Sequence, residues 1–312
     1  MVTPLKDRNN PRRGTASESA YSLFEFIRDF GDDAACLEYL WRERYSEDGE
    51  HAHCPKCEQV RSFRRYHTMQ QRQSWTCTAC GHHLHPTAGT IFEKSSTSLH
   101  LWFYGIYLMT STRCGISAKQ LEREIGVTYK TAWRMFHEIR KMLAEDVTDL
   151  SGTVEVDETY VGGKPRYMPG LSRSEITSRA IASKVQVMGM VERGGRVRAD
   201  VRPRSPLLSN ITEHVLPSAM VYSDEAAAYW KLGKAGYAHR RVHHSMRVYV
   251  SGDVHTNTIE GFWSLVKRGI SGAYHSVSAK YLQHYFDEYT FRYNHRDEDM
   301  FALVVRRASS RA

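Results

Sequence analysis

Apolar residues along this 312-residue chain change period near its midpoint. Before about residue 150 they recur every three or four positions, as on a helix with one buried face; afterwards they alternate or form short blocks, as in strands. Phe24, Phe26, Ile27, Phe30, Leu37, Leu40 and Trp41 predict helix over 22–45, split by Gly31-Asp32-Asp33, with Asp32 or Asp33 capping the second half. Leu99 to Met109 predicts a buried helix carrying Trp102, Phe103, Ile106 and Tyr107, too short to span a bilayer. From Gly115 to Lys141 two helical periods flank a glycine turn at Gly126, with Ser117 and Thr128 as caps. Leu121, Ile125, Val127, Ala132, Met135, Phe136 and Ile139 give these helices a common core, leaving Tyr129, Lys130, Arg134, His137 and Lys141 on the outer face of the second, which suits a major groove.

From Thr153 the pattern predicts strands at 154–161, 185–191 and, after a Gly194-Gly195 hairpin turn, 196–201. A helix over 206–215, a strand at 220–223, a helix near 225–232, a short strand at 240–243 and helices at about 258–269 and 279–294 follow. Three antiparallel strands, then helix, strand, helix, strand and helices make an α/β order that resembles the RNase-H-like fold.

Composition sharpens this picture. Hydrophobic content of 41% is enough for a core, and the net charge of +8 favours a polyanionic partner. The charge is uneven: Tyr160 to Arg204 holds ten Lys/Arg against three Asp/Glu, among them Lys164, Arg173 and Arg179, which nominates a nucleic-acid surface beside a solvated-loop reading. Residues 1–20 are polar and read as a disordered arm without a signal peptide, so a cytoplasmic protein is expected, with no membrane partner.

Four of the six cysteines form Cys54-Pro-Lys-Cys57 and Cys77-Thr-Ala-Cys80, nineteen residues apart. That spacing is a zinc ribbon's, four thiolates satisfying one structural Zn2+ in a module too small to fold alone. Arg61, Arg64, Arg65, Arg72 and Trp75 between the knuckles suit a basic β-ribbon that touches DNA. Further on, Asp157 lies in a strand where Val154 and Val156 alternate with Glu155 and Asp157, and Asp224 ends the strand at 220–223. Asn257, Glu260, Ser264 and Lys267 share one face of a helix whose other side carries Ile259, Phe262, Trp263 and Val266. Two strand carboxylates and one helix carboxylate can hold a pair of Mg2+ or Mn2+ ions for phosphodiester chemistry, with Asn257 assisting and Lys267 meeting a phosphate. Glu158 and Glu225 are rival acids that alternation turns to the opposite side.

Taken with Gly89-Thr-Ile-Phe92, Leu101-Trp-Phe103, Val156-Asp-Glu-Thr-Tyr-Val-Gly-Gly-Lys164, His255-Thr-Asn-Thr-Ile-Glu-Gly-Phe-Trp263 and Phe291-Arg-Tyr-Asn294, these motifs resemble a bacterial insertion-sequence DDE transposase carrying an N-terminal zinc ribbon. The resemblance runs from about Leu37 to Arg296. The expected order is then an arm over 1–20, helices over 21–50, a zinc ribbon over 51–90, a helix-turn-helix DNA-binding region over 91–150 and, as the resemblance implies, an RNase-H-like DDE catalytic domain over 151–312. The resemblance implies Asp157, Asp224 and Glu260 as the metal-binding triad and Lys267 as the associated basic residue. Some relatives use asparagine for the third acid; Asn257 and Glu260 are both available, and the spacing to Asp224 and Lys267 favours Glu260. Expected partners are double-stranded DNA, as terminal inverted repeats and as target, and a second or further copy of the chain on the two element ends. Such a protein is nucleoid-associated when bound. The rival readings are a DNA-binding regulator whose core no longer cuts, against which the intact triad argues, and a nuclease acting on RNA–DNA hybrids.

Overall fold

The computed structural model describes residues 21–66, 73–162, 169–201, 207–224, 227–242 and 255–310; the arm over 1–20 lies outside them. In chain order come helices α1 (Leu23–Asp29) and α2 (Asp33–Arg44), strands β1 (His51–Cys54), β2 (Gln59–Tyr66), β3 (Ser74–Cys77) and β4 (His83–Leu84), and helices α3 (Leu99–Ser111), α4 (Ala118–Ile125) and α5 (Tyr129–Met142). They are followed by β5 (Thr153–Val161), α6 (Arg173–Ala182), β6 (Val185–Glu192), β7 (Val197–Val201), α7 (Leu207–His214), β8 (Met220–Ser223), β9 (Ala238–Arg241), α8 (Asn257–Arg268), α9 (Leu282–Asn294) and α10 (Met300–Ser309). The chain divides into two compact units, one of Met1–Arg113 with His295–Ala312, the other of Cys114–Asn294.

In the first unit, Asp32 caps α2 by accepting from the Ala35 amide at 2.8 Å, while Asp33 accepts from the His100 amide at 2.9 Å and ties α2 to the start of α3. The antiparallel sheet β1-β2-β3-β4 rests on α2, where the Trp41 ring stacks on Trp75 at 4.8 Å. Helix α10 was not expected. Its apolar run, 300–305, is unbroken and too short to reveal a period. It packs Phe301 among the rings of Phe26, Phe30 and Phe103.

The second unit is built on a five-stranded sheet of order β7-β6-β5-β8-β9. β5, β6 and β7 run antiparallel, and β8 and β9 are parallel to β5, the mixed sheet expected of an RNase-H-like core. Val154, Val156, Met188 and Met190 face Ile211 of α7 and Tyr229, whereas Val187, Val191 and Val197 face Ile259, Phe262 and Trp263 of α8 and Phe286 of α9. The sheet therefore sits between two apolar layers, and period-2 alternation decides which side chains of β5 meet α8. Two elements differ from expectation. α6 occupies part of the basic segment, and the helix near 225–232 is a short 3-10 turn over Ala227–Lys231.

Helices α4 and α5 belong to this second unit. Ser117 and Thr128 cap them through the Gln120 and Thr131 amides. Arg140 of α5 is buried and pairs with Glu288 of α9 at 2.7 Å; Arg292 meets the same carboxylate at 2.6 Å and the Tyr274 hydroxyl donates to it at 2.9 Å. Burial pushes the Glu288 carboxyl up, but the two guanidinium groups outweigh it and hold it below the usual range. Such a triad adds little stability over apolar filling, yet it fixes register, because removing one member strands a buried charge.

Candidate functional site

The four cysteines are the group of His, Cys, Asp or Glu ligands among the described residues whose donor atoms all lie within 4.8 Å of one another. Tetrahedral zinc with Zn–S near ~2.3 Å needs sulfurs about 3.8 Å apart, and Cys54 and Cys80 are 3.5 Å apart. Two tight turns create this. Glu58 turns back at φ 55 and donates its amide to the Cys54 carbonyl at 2.8 Å; Gly81 does the same at φ 72 onto Cys77 at 3.0 Å. Gly81 fits because only glycine enters that region without cost. Burial pushes the Cys77 thiol up, but the Cys80 and Ala79 amides outweigh it and hold the thiol at about 7. The donor set fits one zinc ion. On the ribbon, Arg61 and Arg64 are exposed, Arg65 lies 5.3 Å over the Trp75 ring, and Arg72 falls outside the described residues.

The acidic site forms where β5 and β8 run side by side. Val156 pairs with Ser223 in parallel register, which brings Asp157 and Asp224 next to each other past the end of β8. Alternation turns Asp157 toward α8. There the Trp263 indole donates to its Oδ2 at 3.0 Å. That contact needs Gly189, the cross-strand partner of Asp157, because a Cβ at Gly189 would collide with the Trp263 ring. Burial raises the Asp157 carboxyl above its usual range, and the Asp224 and Glu260 charges add to the rise. One hollow in front of Asp157 is lined by Glu260, Ser264, Lys267, Arg268 and Ser271 as well. Asn257 shares the helical face of Glu260 but is not among the walls of the hollow, and Thr256 donates to Glu260 at 2.8 Å. Glu158 turns to the other face, where the Tyr229 hydroxyl donates to it at 2.7 Å, and Glu225 lies outside the described residues. The carboxylates are spread more widely than the sulfurs of the ribbon. Asp157 and Glu260 share the hollow, and the Asp224 charge acts on Asp157 and on Glu158 alike; a two-ion site, its ions about 3.5–4 Å apart, is itself wider than the ribbon's, and oxygen donors suit hard divalent cations.

Glu155 was not anticipated as part of this site. It is fully buried two residues before Asp157. Its Oε2 accepts from the Thr258 and Ile259 amides at 2.8 and 3.0 Å, and its Oε1 pairs with Arg193 at 2.7 Å. It thus satisfies the first turn of α8 and fixes the helix that carries Glu260 and Lys267. The signal was the same alternation that singled out Asp157; a carboxylate on the α8 face cannot stay unpaired. Glu155→Leu is expected to destabilise the fold by about 3–5 kcal/mol, because it takes the carboxylate from a partly buried Arg193, which keeps His255 and the Tyr222 ring, and strands two helix amides. Urea unfolding measures this, and a Leu variant as stable as wild type would remove Glu155 from the framework.

The basic residues divide. Arg173 and Arg179 are exposed on α6, whereas Arg193 is committed to Glu155 and Arg198 to Asp146 and Asp200; Lys164 lies outside the described residues. On α5, Tyr129, Lys130 and Arg134 are exposed and Lys141 pairs with Glu138. His137 corrects the expected outer face. It stacks on Trp133 at 4.8 Å and packs against Tyr281 and His284, so a bundle of rings covers that stripe.

Two family models match the chain, an ISXO2-like transposase domain over residues 149–294 and a transposase zinc-ribbon domain over 31–83. A protein of Halobacterium salinarum described as an uncharacterized protein in transposable element ISH50 is 31% identical over 252 residues, covering 77% of this chain and 84% of that one. Among solved structures, a cryoEM structure of the simian T-cell lymphotropic virus intasome in complex with PP2A regulatory subunit B56 gamma is similar at 16% identity, with a TM-score of 0.27 over 60% of this chain and 65% of that chain. That last likeness is too slight to carry argument.

Proposed function

This chain belongs to the insertion-sequence transposases whose catalytic domain accompanies a zinc ribbon, and on that premise we propose that it cuts DNA at the ends of a mobile element and joins each freed 3′-hydroxyl to target DNA. The observation that supports this reading is the shared hollow of Asp157, Glu260 and Lys267, with Asp224 near enough for its charge to raise the Asp157 carboxyl. Those carboxylates would hold two Mg2+ or Mn2+ ions, which supply activation of the attacking oxygen and stabilisation of the leaving one. Trp263 aims Asp157, and Glu155 holds the start of α8 so that Glu260 faces the hollow. Lys267 and Arg268 present positive charge to a phosphodiester lying there.

Duplex recognition falls to the exposed cations of α5 and the ribbon, with Arg173 and Arg179 tracking the backbone. Two element ends call for at least two copies of the chain. No helix among the described residues is long and apolar enough to cross a membrane, and the reading has the protein working on chromosomal DNA in the cytoplasm.

The test is cleavage of a labelled duplex carrying the element's terminal repeat, across a magnesium and manganese titration. Glu260→Gln is expected to be inactive at every metal concentration, and Asn257→Ala slowed but measurable, since a carboxylate supplies charge and an amide only a dipole. The reverse ranking would move the third ligand to Asn257; wild-type protein that binds the repeat and never cuts it would favour the regulator.

A further inference from the structure

The hollow in front of Asp157 is not the end of the surface that α8 builds. A π-helical turn over Gly269–Ala273 prolongs the helix. Arg268 and Ser271 line the carboxylate hollow, and Gly272, Tyr274 and His275 line a second groove whose other walls come from α4, the start of α5 and the segment up to Tyr285. The two hollows are successive stretches along one piece of backbone.

Their chemistry differs. The first sets Asp157 and Glu260 beside Lys267 and Arg268; the second, of ≈ 630 Å³, has no carboxylate in its walls. Instead it presents the rings of Tyr129, Trp133, Tyr281 and Tyr285 with the cations Lys119 and Arg123. Lys119 is paired with Glu122 at 2.5 Å, while Arg123 is exposed on the same helix. Tyr129, at the first position of α5, is 49% exposed, and Trp133 meets Tyr281 edge-on at 5.3 Å. A structural core would bury such rings, and a duplex-backbone surface would not need them. Rings beside cations, free of acids, suit bases stacked out of a helix together with their phosphates.

We propose that this groove takes up unpaired nucleotides of the DNA strand whose phosphodiester lies in the carboxylate hollow, an inference that rests on the function proposed above. Twelve residues separate Glu260 from Gly272, about 18 Å of helix, or about five nucleotides of strand at ~3.4 Å each. A short single-stranded stretch next to the reacting bond therefore reaches it.

The test uses the full-length, zinc-loaded protein without added magnesium, and fluorescence anisotropy. The probes are a blunt fluorescein-labelled duplex and the same duplex bearing a six-thymidine tail, one version at each polarity. Wild type is expected to bind one tailed probe about tenfold tighter than the blunt one, the scale of stacking one base on an aromatic ring. Tyr129→Ala and Arg123→Ala should bring that ratio close to one, and Tyr129→Phe, which keeps the ring, should preserve it. Both positions are on the surface, and a thermal melt establishes that each variant is folded. Equal binding of tailed and blunt probes by wild type would assign the groove to duplex backbone and overturn the inference alone, as would a Tyr129→Ala ratio equal to wild type. Failure to bind any of the probes would overturn the proposed function together with it.

Discussion

On the proposed function, Asp157→Asn is expected to lower metal-dependent strand cleavage by at least about a thousandfold and to leave binding of the element end nearly intact. Several kcal/mol of transition-state stabilisation leave with the ions, and each ~1.36 kcal/mol is a factor of ten in rate. The amide keeps the shape of the side chain and can still accept from the Trp263 indole, so the loss is one of charge, not of packing. The metal-free stability of the variant separates the two. Burial raises the Asp157 carboxyl, with Asp224 and Glu260 adding to it, so in the folded chain its ionised form is disfavoured relative to the unfolded chain. That penalty is absent at acid pH, where the group is protonated in both states, and grows as pH rises through the ordinary carboxylate range toward the raised folded value. Without metal at neutral pH the Asn variant should therefore melt no lower than wild type, and added Mn2+ should raise the melting temperature of wild type alone. A variant that still cuts, or one that melts far below wild type, removes Asp157 from the metal site.

Zinc removal is expected to unfold the ribbon. Structural zinc contributes about 10–16 kcal/mol of binding free energy in small modules, more than four short strands can replace. Metal analysis is expected to return about one zinc per chain, lost in Cys77→Ser. Because Trp41 stacks on Trp75, unfolding should redden and broaden the tryptophan emission. The Cys77 thiol is held below the usual thiol range, at about 7, whereas its neighbours, Cys80 first, push Cys57 up to about 12. Thiols must lose protons to bind metal, so zinc affinity should fall as pH drops, most steeply below the Cys77 value. Four thiols that react freely in a folded protein, with no metal released, would sink the assignment.

Much of the framework was legible from periodicity. Alternation in Val154-Glu155-Val156-Asp157 separated the two faces of β5, and the caps at Ser117 and Thr128 lie where the side-chain chemistry puts them. What stayed hidden depends on partners distant in sequence. Glu155 reads as one more strand acid until the start of α8, about a hundred residues on, arrives to use it. Trp263 was assigned to the core, and it is core; its indole N–H toward Asp157 becomes visible only through Gly189 on a neighbouring strand. Charge counting could not see internal ion pairs for the same reason. Arg193 and Arg198 were counted toward a DNA surface and are spent inside the unit on Glu155 and Asp200. His137 looked solvent-facing because the rings of Tyr281 and His284 that cover it belong to a segment about 145 residues later.

The placement of α10 bears on the order in which the protein is made. The second unit is one uninterrupted stretch, Cys114–Asn294, but the first is discontinuous and takes α10 from beyond it. As a ribosome extrudes the chain from its N-terminus, Phe26, Phe30 and Phe103 emerge early and stay without Phe301 until almost two hundred further residues have followed. The second unit can close while the earlier aromatic cluster is still open. A nascent chain thus carries an unfinished apolar face throughout the synthesis of the whole second unit, a stretch of time in which chaperones have something to hold, and α10 completes a cluster whose other rings were made long before it.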